Sequence, residues 1–261
     1  MSPELQKLEA GLAAYRAGRA LDAERLYREV LCHAPENPDA LHLLGLLYLD
    51  AGQAEAAAGL VSRAIQQRPG VPFFYNTLGN ALRGLRRLEA AVLSFRKALS
   101  LRPDFAEAMS NLGAALQESG EPAEAVLCHR RAAALRPDCA EIYGNLANAL
   151  RSAGAPEEAF NAYREAIRLR PEYAEAWMNL GNLYFDRDDY QKAEEHYRKA
   201  LGLNPRLAHA MSNLGSALAQ TGKYPEAERW CRQALDALPD DPSAQCNLAS
   251  VLAMTGRADT A

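Results

Sequence analysis

The sequence predicts an all-α fold, a right-handed α-solenoid of 34-residue helix-turn-helix repeats, on two observations. The first is a strict period: the strings Asn-Leu-Gly or Asn-Leu-Ala begin at Asn111, Asn145, Asn179, Asn213 and Asn247, each 34 residues after the one before. A fixed period of that length marks a repeat architecture. The second is that apolar residues in each period fall at three- and four-residue spacings on both sides of a short break, as a pair of amphipathic helices requires. Run backwards, the register divides the chain into units 4–37, 38–71, 72–105, 106–139, 140–173, 174–207 and 208–241, with a partial eighth at 242–261 and no insertion or deletion. One hairpin cannot bury its apolar face alone. The expectation is therefore a single superhelix over 1–261 in which stacked neighbours share a continuous core.

Each element of a unit has a local cause. The break between the two helices falls at Gly18, Gly52, Gly120, Gly154, Gly222 and Gly256, where glycine adopts positive φ without steric cost. Asp188 is tolerable at that place, whereas Arg86 runs against the steric rule and calls for an explanation. Pro122 and Pro156 follow the break by two residues and open a second helix without losing a needed donor. Each unit closes at a proline, namely Pro35, Pro69, Pro103, Pro137, Pro171, Pro205 and Pro239, which stops the helix and starts the next turn. The first helices carry a small residue at Gly11, Gly45, Gly79, Gly113, Ala147, Gly181, Gly215 and Ala249. The second helices carry alanine from Ala23 through Ala227 to Ala261 at the same period, with Tyr27, Phe95, Tyr163 and Tyr197 four residues later. Small and large residues are thus placed to interlock.

Composition narrows the function. A hydrophobic content of 49% is ample for a core, and a net charge of −4 does not mark the chain for nucleic acid or anionic lipid. The longest apolar stretch, 40–49, contains His42, stops at Asp50 and is too short to span a bilayer. The first nineteen residues mix Glu4, Lys7, Glu9 and Arg16 into their apolar pattern and lack the core of a signal peptide. Five cysteines with no C-x-x-C pair fit reduced thiols, so the expectation is a cytoplasmic protein that meets no membrane and no nucleic acid. No phosphate-binding glycine loop, nucleophile elbow or zinc-protease motif occurs, so no catalytic residue, metal or cofactor is expected and the chain is read as not an enzyme. Cys128, His129 and Cys139 are the nearest approach to a metal set, but adjacent residues point to different helix faces. His129 stands where other units place Tyr or Phe and is read as packing. The acidic run from Asp186 to Asp189 lacks the glycine and distal glutamate of a calcium loop and reads as a surface turn.

The segment Trp177-Met-Asn-Leu-Gly, followed by Tyr184, Tyr190, Ala193, Tyr197, Ala200 and Pro205, resembles the tetratricopeptide repeat family, and the resemblance covers residues 4–261. Departures lie in the first unit, where Lys7, Ala10 and Ala14 replace larger apolar residues as befits an end facing water, and in the last, which stops at Ala261. The resemblance implies that first helices line a concave groove where an extended protein or peptide segment binds. An asparagine there can pair with both N–H and C=O of a peptide without reading its side chains. The candidate binding residues are Asn111, Asn145, Asn179, Asn213 and Asn247, with Asn80, Asn148 and Asn182 one helical step away. The same amides could instead bond a neighbouring helix turn.

The asparagine ladder, with wording such as Arg102-Pro-Asp-Phe-Ala-Glu-Ala, is similar to the N-terminal superhelix of the O-linked N-acetylglucosamine transferase (SPINDLY-like) proteins of bacteria. That similarity implies that these repeats present protein substrates to a catalytic domain beyond residue 261. A carboxylate clamp of the co-chaperone type is disfavoured, because Glu107, Glu141 and Glu175 open the helices and would repel a terminal carboxylate. Arg83 and Arg151 are left either to an acidic partner or to solvent. The remaining alternatives are self-association through the open C-terminal repeat and, against the acidic helix openings, a nucleic-acid-binding helical repeat.

Overall fold

The computed structural model describes residues 2–254 and Gly256, and every regular element within them is an α-helix. Ala261, the expected last small residue of the second-helix series, lies outside the described residues. The chain groups into two compact units that divide between Pro137 and Asp138.

The first unit holds four hairpins: α1 (Pro3–Arg16) with α2 (Ala20–His33), α3 (Pro38–Asp50) with α4 (Ala54–Gln67), α5 (Pro72–Gly84) with α6 (Leu88–Leu101), and α7 (Ala106–Glu118) with α8 (Pro122–Leu135). Proline opens α1, α3, α5 and α8, where its missing donor costs nothing, and the Asn37 side chain caps α3 by accepting from Asp39 and Ala40 N–H. The second unit holds α9 (Ala140–Ser152) with α10 (Pro156–Leu169), α11 (Ala174–Phe185) with α12 (Tyr190–Leu203), α13 (Ala208–Gln220) with α14 (Tyr224–Ala237), and then α15 (Pro242–Met254). The expected unit starts at 38, 72, 106, 140, 174, 208 and 242 all coincide with helix starts. The fold is thus all-α, and each unit is a run of stacked helical hairpins.

The turns confirm the glycine logic. After α1 the Gly18 N–H donates to Tyr15 O and the Arg19 N–H reaches back to Ala14 O at 2.9 Å, a Schellman closure with Gly18 at φ 73°. The same pair of bonds closes α5, from Arg86 N–H to Arg83 O and from Arg87 N–H to Leu82 O, and forces Arg86 to φ 59°. A side chain there meets the steric penalty that glycine avoids. Its guanidinium reaches Glu118 at 2.9 Å, an exposed pair worth little.

Inside the hairpins the small-to-large fit is tight. A Cβ built on Gly79 would lie 2.6 Å from the Phe95 ring, and one on Gly113 would lie 2.7 Å from the His129 ring. In the second unit a Cβ on Gly181 would meet the Tyr197 ring at 2.7 Å. Only glycine allows the helices to close on these rings. Ala23, Ala57, Ala91, Ala125, Ala159, Ala193 and Ala227 have no exposed surface, and neither do Phe95, His129 and Tyr163. Full burial of such an aromatic contributes about 1.5–3 kcal/mol. One expectation is corrected. Ala14 does not face water: only 2% of it is exposed, and it joins Leu8, Tyr27 and Leu44 in the core, because α1 is covered on that side by α2 and α3. Ala10 is exposed as expected.

Replacing Arg86 with glycine removes the positive-φ penalty at the expense of the exposed pair with Glu118. The expected net effect in urea unfolding is a stabilisation of about 0.5–1 kcal/mol. A variant of equal or lower stability contradicts this account of the third turn.

Candidate functional site

The eight asparagines predicted from the repeat register are all half-buried, and each stands on a first helix. In the second unit most are bonded to one another. Asn179 Nδ2 donates to Asn148 Oδ1 at 3.2 Å, Asn182 Nδ2 to Asn179 Oδ1 at 3.4 Å, and Asn213 Nδ2 to Asn182 Oδ1 at 2.8 Å. The Tyr163 hydroxyl donates to Asn148 Oδ1, and the Tyr197 hydroxyl donates to Asn182 Oδ1 at 2.9 Å. Both acceptors therefore receive two bonds, the full capacity of an amide oxygen. Burial pushes the Tyr163 phenol up to about 12, and it raises Tyr197 as well, so both remain donors at neutral pH. Asn247 Nδ2 donates to Ser212 Oγ at 2.7 Å. Asn145 occupies the same register on α9.

Around Asn182, Asn213 and Asn247 the surface is recessed into a cleft of about 290 Å³, whose other lining residues are Arg151, Phe185, Asp186, Tyr197 and Ser216. The floor is polar and the rim carries both signs of charge.

In the first unit the pattern differs. Asn111 Nδ2 donates to Asn76 Oδ1 at 3.0 Å, and Asn76 Nδ2 donates to Glu107 Oε1 at 2.9 Å. Asn80 stands where Asn148 and Asn182 stand, but its Oδ1 is buried with no hydrogen-bond partner. One substitution and one redirected bond explain the orphan. Phe95 occupies the place of Tyr163 and Tyr197 and has no hydroxyl, and the amide of Asn111 is turned to Asn76 instead. The next hairpin changes both members: Ala114 replaces the asparagine and His129 replaces the tyrosine. The His129 ring is fully buried, with Nδ1 3.5 Å from Ser110 Oγ and Nε2 unpartnered, and burial lowers its pKa to about 4.

Two participants escaped the sequence reading. Asn76 carries the amide relay of the first unit, and the tyrosine hydroxyls, taken for bulk alone, anchor the relay of the second. The signal for the hydroxyls was present, since Asn148 with Tyr163 and Asn182 with Tyr197 repeat one spacing while Ala114 goes with His129. Glu107 and Glu141, at the helix openings, engage Asn76 and Arg170 within their own units. Among the described residues no group of three His, Cys, Asp or Glu is arranged to hold a metal ion, and no helix is long and apolar enough to cross a membrane.

Tetratricopeptide repeat family models match residues 14–73, 79–120, 105–136, 147–186 and 178–242. The solved structure of MamA protein is 26% identical and superposes with a TM-score of 0.55, over 64% of this chain and 91% of that one. A thermophilic tetratricopeptide repeat protein of Thermus thermophilus is 25% identical, with a TM-score of 0.60 over 70% of this chain and 99% of its own. A tetratricopeptide repeat protein of Parabacteroides merdae shares the fold at 14% identity, with a TM-score of 0.74 over 95% of this chain and 98% of that one. No curated protein matches the chain. The matched models run through most of the sequence, and the chain belongs to the tetratricopeptide repeat family. That fold is consistent with a scaffold for protein interactions.

Two predictions test the buried polar logic. Phe95→Tyr supplies the donor that Asn80 Oδ1 lacks and is expected to stabilise the protein by about 1 kcal/mol in chemical denaturation. A destabilised variant would show that the hydroxyl cannot reach the amide. For His129 the folded-state pKa lies below the unfolded value of 6.5, so protons bind the unfolded chain more tightly. Its contribution to stability is complete above pH 6.5 and is lost as pH falls towards 4, by on the order of 3 kcal/mol. His129→Phe should remove that share of the acid sensitivity and leave the share of His42, whose pKa burial also lowers to about 4. An unchanged curve assigns the acid sensitivity elsewhere.

Proposed function

We propose that the chain is a protein-interaction scaffold that takes an extended partner segment along its first helices, with asparagine amides bonding the partner's main chain. The observation that carries this reading is the set of half-buried amides at one-hairpin spacing, in which the internal bonds of Asn179 and Asn213 use only part of their capacity. After donating to Asn182, Asn213 keeps one N–H and its Oδ1, and Asn179 keeps one N–H. Asn148 and Asn182, whose oxygens are saturated by a tyrosine and an asparagine, act chiefly as anchors that hold the outer amides in place. An amide fixed before the partner arrives loses less rotamer freedom on binding. In this reading Asn111, Asn145, Asn179, Asn213 and Asn247 address the partner, with Asn80, Asn148 and Asn182 behind them. Presentation of protein substrates to a transferase domain is the same reading with the partner specified further.

The test is selection of random phage-displayed peptides on the whole chain, followed by affinity measurement on a double Asn179→Ala, Asn213→Ala variant. Each lost amide is worth about 0.5–1.5 kcal/mol, so the double variant should weaken unrelated peptide sequences alike, by about tenfold or more. It should melt somewhat lower, because three internal bonds go with the side chains, and remain folded at the assay temperature. Undiminished binding of the selected peptides sinks the reading.

A further inference from the structure

Two charged pairs stand in the same register in the two units. Arg83 on α5 and Glu118 at the end of α7 recur 68 residues later as Arg151 on α9 and Asp186 directly after α11. In the first unit Glu118 is engaged by both of its cations, Arg86 at 2.9 Å and Arg83 at 3.8 Å. In the second unit the acidic side chain is one methylene shorter, and Gly154 takes the place of Arg86. Among the described residues neither Arg151 nor Asp186 comes within ion-pair distance of an opposite charge, although both are exposed and both line the cleft that contains Asn182 and Asn213. Their fields converge there. Burial is the main cause that raises the Tyr197 phenol, Asp186 adds to it, and Arg151 opposes it.

An unengaged cation and an unengaged anion therefore flank amides suited to a peptide main chain. Among the described residues Arg151 is the one arginine in the cleft lining, and the arginines next in sequence to Asp186 and Tyr197 are occupied: Arg187 holds Glu157, and Arg198 holds Glu194 and Glu226. We propose that this cleft selects an extended segment with one acidic and one basic side chain, the acid against Arg151 and the base against Asp186. The exchange of glutamate for aspartate keeps this pair open in the second unit, whereas the longer side chain closes its counterpart in the first. The proposal rests on the peptide-binding reading and adds to it a charge order. Reversing the order in the bound segment places like charges together, so orientation in the cleft is set by electrostatics while affinity comes from the main chain.

The phage selection, run at low salt, tests both levels separately. On the parent chain, enriched peptides should carry an acidic and a basic residue in one order at a consistent separation. Synthetic versions with the two residues exchanged should bind about fivefold more weakly, a difference that fades as salt screens the pairs. Asp186→Glu keeps the charge but lets it reach Arg151, and it should abolish the order preference while peptides still bind. Arg151→Gln should do the same without introducing a new internal pair, and it carries the test if Asp186→Glu melts below the parent. Enriched peptides with no charge order overturn the charge selection and leave the peptide reading standing. An order preference that survives in both variants overturns its assignment to this pair. Failure to enrich any peptide on the folded parent overturns the peptide reading and the selection with it.

Discussion

The approach of a side chain on each second helix, a ring in all but α4 and α14, to a small residue on its own first helix is the contact on which the other features depend. Where Phe95 and Tyr197 face Gly79 and Gly181, a single added methyl would collide with the ring. That closeness sets the distance between the helices and brings the far edge of the Tyr197 ring to Asn182, the residue after the glycine, whose register position in the hairpin of Phe95 is held by Asn80. Core and polar face thus share a neighbourhood. When the ring carries a hydroxyl, as Tyr163 and Tyr197 do, it crosses from the core to the amides and saturates them; when it does not, as with Phe95, a buried amide oxygen is left alone. The cost of such an orphan is about 1–3 kcal/mol, comparable to what a well-packed methyl group contributes.

Repetition makes these differences informative, because every hairpin supplies the control for its neighbours. The helical frame is nearly constant from one period to the next, so a change of chemistry at one register position can be assigned to that position. Asn148 with Tyr163 and Asn182 with Tyr197 form complete pairs, Asn80 with Phe95 is half of one, and Ala114 with His129 is a replacement in which the ring nitrogen goes unanswered. The charged rim varies by the same rule. In the proposed reading the repeated amides address the partner's main chain, and the departures from the repeat set which side chains accompany it.

The helical hairpins were legible in the sequence because each boundary has a strong local cause: proline at helix starts, positive-φ residues at turns, and an apolar stripe of helical period. Even Arg86 adopts the left-handed conformation that its register position implies, since the Schellman bonds around it outweigh the steric preference of one side chain. Burial at the first hairpin was misjudged at Ala14, because exposure there depends on how α2 and α3 cover α1 and not on the residue's size. The polar face was legible as a row of asparagines but not as a network. Periodicity gives the helix face on which an amide stands, whereas its bonding partner depends on a rotamer and on whether a tyrosine one helix away brings a hydroxyl. Asn76 escaped for the same reason: its register position holds leucine, histidine, serine, glycine, methionine or cysteine elsewhere, and nothing local distinguishes a buried relay from a tolerated polar residue.

The central claim is that the asparagine amides of the first helices receive a partner's main chain. Side-chain amide resonances of ¹⁵N-asparagine-labelled protein, followed while a selected peptide is added, address it directly. The account predicts shifts and slowed proton exchange at Asn179 and Asn213, with Asn161 on the exposed side of α10 unmoved. Saturable binding that shifts Asn161 and leaves Asn179 and Asn213 where they were would contradict it.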